Sequence, residues 1–191
     1  MAYEVSDGEG TLLSLVERAQ PVTVYEVSKI YLASPVTNYG TSKGKLYPMV
    51  RRLKSHGLIE GIPIADDQRG TEHLRCTETG LAALRQWVGT VEPGHALPDD
   101  PLRTRIQSLH LLTRAEQLDW LDRARDAVAA KVREVEAYVE QVDMPRAAIA
   151  LDHVRSVSQA RLRWIERTAR VLEQAQGENG DAAETETGPT G

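Results

Sequence analysis

The residues with the clearest chemistry are cations. Between Ser42 and Ile59 lie Lys43, Lys45, Arg51, Arg52 and Lys54 and no acidic residue, in a 191-residue chain of formal net charge −5. Leu46, Met49, Val50 and Leu53 recur among them at helical spacing, so one face can pack while another presents positive charge. Ammonium and guanidinium groups displayed this way neutralise phosphates. A helix also fits the DNA major groove, where Lys and Arg reach guanine edges. A basic helix on an acidic protein therefore points to a polyanionic partner, with double-stranded DNA the expected one. Lys43, Lys45, Arg51, Arg52 and Lys54 are the expected phosphate contacts, and Ser42, Lys45 and Tyr47 are placed to reach base edges. A solvated surface helix with an ordinary charge bias has the same composition, so the surrounding elements must decide.

Other chemistry is sparse. No Ser/His/Asp set, phosphate-cradling glycine loop or isolated carboxylate pair argues for catalysis, so no enzyme activity is expected. His56, His73, His95, His110 and His153 show no ligand spacing with one another or with Cys76, so neither a metal nor another cofactor is expected. Cys76 reads as a small buried side chain. A single cysteine cannot form an intrachain disulfide, which fits a reducing compartment. No apolar run approaches the ~20 residues that cross a bilayer, and the first residues lack signal-peptide character, so the expected location is the cytoplasm with no membrane contact.

Charged residues at 27%, aromatic residues at 5% and no Phe favour helices packed by Leu, Val, Ile and Ala. A short helix is expected over 11–19, stopped by Gln20-Pro21. Thr23 with Glu26 forms a capping box for a second helix, whose buried face would be Val24, Val27, Ile30 and Tyr31. The basic helix begins at Thr41 or Ser42 and ends at Gly57, with Pro48 expected to bend it. Extended runs over 58–64 and 72–76 flank a polar turn carrying Arg69, which is placed to reach an adjacent groove; Thr77 then caps a helix to Val88. Three helices, a hairpin and a closing helix is the order of a winged helix-turn-helix. Beyond a Pro/Gly-containing linker, Asp100-Pro101 opens a helix and Thr113 with Glu116 caps a longer one to Val142. Its stripe of Leu118, Leu121, Arg125, Val128, Val132, Val135, Val139 and Val142 follows heptad-like spacing. A last helix is expected to run from beyond Pro145 to Gln174, with Val157, Trp164 and Val171 on a second apolar stripe. The valine stripe can dimerise, through Leu118, Leu121, Val128, Val132, Val135 and Val139, or can be covered within the chain by the last helix.

Residues 11–88 resemble the DNA-binding domain of the PadR family of transcriptional regulators. The likeness rests on Gly44-Lys45-Leu46-Tyr47-Pro48 with Arg52-Leu53 and Gly57-Leu58-Ile59, on Tyr25-Glu26-Val27, and on Thr77-Glu78-Thr79-Gly80. The linker and Asp100-Pro101-Leu102 extend it over most of 11–142. The resemblance implies a mainly α fold with a small β-hairpin wing, long C-terminal dimerisation helices, and a homodimer reading a pseudo-palindromic operator. Two recognition helices would then lie one DNA turn apart, roughly 34–36 Å. It further implies a repressor released by a small aromatic effector, with Trp87, Trp120 and Trp164 as pocket residues, although singly placed Trp residues on amphipathic helices also read as core. Val24 stands where the family has glycine, and Glu72 where its wing is basic, so the wing is expected to contribute less. The expected organisation is a flexible arm 1–9, a winged-helix domain 10–88, a linker 89–99, a helical dimerisation domain 100–175 and a disordered acidic tail 176–191. The competing reading is a winged-helix protein-interaction module that no longer grips DNA and docks a partner through its C-terminal helices.

Overall fold

A computed structural model describes residues 3–35, 43–65, 67, 70–97, 100–142 and 146–184, with side chains from 44 onward in the basic helix and up to 174 in the last one. The chain divides into two compact units, Met1–Pro98 and Asp99–Gly191.

In the first unit, α1 (Asp7–Ala19) begins earlier than expected. The Ser6 N–H donates to Glu9 (3.1 Å), a capping box that belongs to what the sequence suggested was a loose arm. The arm itself is packed: Val5 is buried, and the Tyr3 ring stacks on His56 with centroids 3.7 Å apart. Leu12, Leu13 and Val16 of α1 are fully buried and form the centre of the core. β1 (Val22–Thr23), too short to leave a sequence signal, precedes α2 (Val24–Ala33), which is capped by Thr23 and Glu26 as expected. Val27, Ser28 and Tyr31 of α2 are buried, whereas Ile30 turns outward.

The basic stretch forms α3 (Lys43–Ser55), with Pro48 inside an unbroken helical run. Leu46, Met49, Val50 and Leu53 bury its apolar face. Gly57, at φ +66°, closes it: Leu58 N–H returns to Leu53 C=O and Gly57 N–H to Lys54 C=O, both at 2.9 Å. β2 (Ile59–Pro63) and β3 (Glu72–Cys76) form the antiparallel hairpin, and β1 pairs on the other edge of β3, giving the order β1-β3-β2. Thr77 caps α4 (Glu78–Gly89) and also donates to Gly57 C=O (2.6 Å). Gly80 permits that closeness, because a Cβ there would lie 2.9 Å from the Leu58 carbonyl carbon and collide with its oxygen. The Thr-x-x-Gly motif thus has a packing reason: a capping hydroxyl and a bare backbone let α4 start against the end of α3. A 3-10 turn over Pro93–His95 interrupts the expected linker.

The second unit contains α5 (Pro101–Ile106), capped by Asp100, then α6 (Arg114–Gln141), capped by Thr113 and Glu116, and α7 (Ala147–Glu184). α6 and α7 pair closely, with Glu136 bound to Arg155 (2.7 Å) and Leu121, Ala124, Val128 and Ile165 in a shared core. Ala124, not Arg125, faces that core; Arg125 is exposed and pairs with Asp122 at 2.9 Å. At ~100° per residue Ala124 lies nearer than Arg125 to the centre of the arc of Leu121, Val128 and Val135. α7 continues past Gln174 into the segment expected to be a disordered tail. Gln, Glu and Ala propagate an established helix at little cost despite the glycines. Residues 185–191 of that tail lie outside the described residues. None of the described helices is long and apolar enough to cross a membrane.

Candidate nucleic-acid interface

With Leu46, Met49, Val50 and Leu53 inward, the opposite side of α3 presents Gly44, Tyr47, Pro48 and Arg51, residues three and four apart. Lys45, Tyr47 and Arg51 are exposed and have no polar partner among the described residues. Gly44 has no side chain and Pro48 a short ring, so the helix can approach a surface closely between Tyr47 and Arg51. Lys43 opens the helix, its side chain outside the described set, as are Ser42 and Arg69.

The two remaining cations are engaged inside the domain. Arg52 Nε lies 2.7 Å from Glu9 Oε1, and Glu9 is only 3% exposed. The Tyr3 hydroxyl also donates to Glu9 (3.0 Å). Burial alone would raise the Glu9 carboxyl, but the Arg52 guanidinium, the Ser6 N–H and the Tyr3 hydroxyl outweigh it and hold the group below its ordinary range. Burial, followed by its bond to Glu9, pushes the Tyr3 phenol up. Lys54 pairs with Glu72 on β3, and Gly61 of β2 makes room: a Cβ there would sit 2.6 Å from Lys54 Nζ. Glu72, which in the sequence stood out as an acid in a basic wing, is the partner that ties β3 to α3. The basic face therefore divides into outward groups, Lys45, Tyr47 and Arg51, and two flanking anchors, Arg52 and Lys54. Composition did not reveal this division because both anchors depend on residues distant in sequence. Tyr3 and Glu9 were missed as supporting residues; the Ser-x-x-Glu spacing at Ser6–Glu9 was the available signal.

The expected dimerisation residues are largely covered within one chain. Leu121, Val128 and Val135 are buried, and Leu118, Val132 and Val139 are half-buried. The exposed apolar residues of this unit include Ile149, Val157 and Val171 on α7 (68%, 43% and 64% exposed). Of the tryptophans, Trp87 belongs to the first unit, where it packs over Gly10 and its Nε1–H donates to Asp7 (3.1 Å). Trp120 and Trp164 belong to the second and pack against its core. Cys76 is half-buried with its thiol toward Leu13 C=O (3.7 Å), and burial pushes it up to about 11, with Glu17 adding to the effect. Among the described residues no group of three His, Cys, Asp or Glu side chains could hold a metal ion.

No protein-family model matches the sequence, and no curated protein matches it either. Solved structures do. The Bacillus subtilis PadR structure in complex with operator DNA aligns with TM-score 0.70 at 15% identity, over 87% of this chain and 99% of that one. The same protein in complex with p-coumaric acid aligns with TM-score 0.69 at 14% identity, over 86% and 98%. The PadR-like transcriptional regulator of Bacillus cereus aligns with TM-score 0.66 at 16% identity, over 90% and 99%. Winged helix, wing and long C-terminal helices together give this chain the fold of the PadR-type regulators.

Proposed function

We propose that the protein is a sequence-specific DNA-binding transcriptional regulator, acting as a homodimeric repressor that a small molecule releases. The observation that carries the reading is the outward row of α3: Tyr47 and Arg51, with Lys45 beside them, on a helix whose other face is locked in the core. In the shared fold, a PadR structure is in complex with operator DNA and another with p-coumaric acid. Lys43, Lys45 and Arg51 are assigned to phosphates; Ser42, Lys45 and Tyr47 to base edges; Arg69 to the neighbouring groove. Arg52 and Lys54 are assigned to holding the helix.

The dimer surface is assigned to α7 rather than to the valine stripe of α6. At ~100° per residue, Ile149, Val157 and Val171 fall within an arc of about 80°, clear of the arc that carries Ile165. This second stripe remains apolar and exposed while the first is covered within the chain.

One observation favours the protein-interaction reading. With Arg52 and Lys54 paired internally, α3 has fewer cations for phosphate than its composition suggests. Binding to duplexes selected from a random pool distinguishes the two. A DNA-binding regulator yields an enriched, pseudo-palindromic site and an affinity that falls steeply between 50 and 200 mM salt. No enrichment, or binding indifferent to salt, rejects the regulator.

A further inference from the structure

The first unit contains a cavity of about 800 Å³, walled by the N-terminal arm on one side and by α4 and the segment after it on the other. Its size lies in the range of small-molecule sites. Tyr3 and Trp87 supply aromatic wall, and Glu4, Asp7 and Glu92 supply three carboxylates. No Lys or Arg lines it, and His95 is the one lining residue able to carry positive charge. Its Nδ1 accepts the Glu92 N–H (3.1 Å).

We infer that this cavity is the effector site, that it takes a small organic cation with a flat apolar body, and that Tyr3 couples it to the DNA-binding helix. The inference rests on the regulator reading for its second half only. Aromatic rings and three carboxylates around one space select positive charge, through cation–π attraction and Coulomb attraction, and disfavour anions of the same shape. Asp7 is partly engaged by the Trp87 N–H and Glu92 by the His95 backbone N–H, so Glu4 is the freest charge.

The coupling follows from the arm's two contacts. Tyr3 lines the cavity, stacks on His56 just past α3, and donates to Glu9, the partner of Arg52 on α3. A ligand that favours one position of Tyr3 therefore biases the grip on the C-terminal half of α3, and DNA must bias the ligand reciprocally. Tyr3 is here a positioning residue, not a DNA contact.

The test uses the full chain with 1-methylquinolinium as probe cation and 2-naphthoate as an anion of similar shape. Tryptophan emission should quench saturably with the cation and not with the anion, and Trp87→Phe should abolish the saturable part. The double substitution Glu4→Gln, Glu92→Gln should weaken cation binding about five- to tenfold and leave DNA affinity unchanged. Equal binding of cation and anion, or quenching that survives Trp87→Phe, overturns the site. For coupling, saturating cation should change affinity for the selected duplex, and Tyr3→Phe, which keeps the ring and loses the hydroxyl, should reduce that change while the cation still binds. A full change in Tyr3→Phe overturns the route. Cation binding is read by fluorescence without DNA, so a protein that binds the cation but no duplex refutes the regulator and leaves the site standing.

Discussion

Replacing Glu9 with glutamine tests whether Arg52 anchors α3. The carboxylate is 3% exposed and accepts from Arg52 at 2.7 Å, from the Ser6 N–H at 3.1 Å and from the Tyr3 hydroxyl at 3.0 Å. An amide of the same shape keeps one acceptor oxygen, loses the charge and turns an NH2 toward groups that also donate. Hydrogen bonds to charged groups contribute ~1.5–3 kcal/mol and neutral ones ~0.5–1.5, so the exchange should cost about 2 kcal/mol. At an m-value of ~1–2 kcal/mol/M, the urea midpoint of the first unit should fall by about 1–2 M. Trp87 reports on that unit when Trp120 and Trp164 are replaced by Phe. The pH dependence supplies a second check. The folded carboxyl is held below its ordinary value of 4.5, so its contribution is complete above that pH and is lost as pH falls through the folded value. Wild type and Glu9→Gln should differ most near neutrality and converge in acid. A midpoint shift under about 0.3 M, or a difference that persists unchanged to pH 3, would refute the anchor and return Arg52 to the phosphate contacts.

Further outcomes follow from the same geometry. Arg51→Ala should leave stability within about 0.5 kcal/mol, yet reduce the slope of log K against log salt by about 0.9 per bound subunit, as read by fluorescence anisotropy. Gly80→Ala should destabilise the first unit by about 1–3 kcal/mol despite alanine's better helix propensity, because its Cβ meets the rigid Leu58 backbone; an unchanged melting temperature would show that α4 can retreat. Cys76, with its thiol raised to about 11, should react with a thiol reagent at pH 7.5 far more slowly than a free cysteine, and a comparable rate would show that strand β3 opens readily. Val157→Glu with Val171→Glu should turn a dimer into monomers by sedimentation while Val132→Glu should unfold the second unit first; a dimer surviving the α7 pair would move the interface back to α6.

What the sequence disclosed was local in origin. Thr23 with Glu26, Thr113 with Glu116, Asp100 before Pro101 and Gly57 after α3 are signals within one helical turn, and each marks an element boundary in the structure. Ser6 with Glu9 is the same kind of signal, obscured because the arm before it offers no helical periodicity. β1 has two residues and exists only because β3 pairs with it, so no pattern within Val22–Thr23 could announce it. Ile30 and Arg125 misled for a related reason. Ile30 continues the three-residue spacing of Val24 and Val27 but falls outside the arc of Val27, Ser28 and Tyr31, and Ala124 lies nearer than Arg125 to the centre of the arc of Leu121, Val128 and Val135. The functional face followed the same division: cations legible by type, partners illegible because Glu9 is 43 residues from Arg52 and Glu72 is 18 from Lys54.

That division bears on why such a helix should work in pairs. Five cations on one helix could grip a duplex alone, but two of the five are bound to carboxylates that hold α3 against α1 and β3. Freeing Arg52 would leave the buried Glu9 carboxylate unpaired, and freeing Lys54 would release β3 from α3 at the more exposed Glu72. Among the described side chains α3 is left with Lys45 and Arg51 facing outward, and at a salt slope of about −0.9 per phosphate so few contacts would make a weak hold. Two helices on the proposed dimer would double that exponent and convert the second engagement into an intramolecular step, which multiplies affinity without a new contact. In the proposed repressor the anchors would give α3 a fixed orientation, the few outward groups would keep nonspecific affinity low, and pairing through the α7 stripe would restore binding only where two half-sites stand at the right spacing.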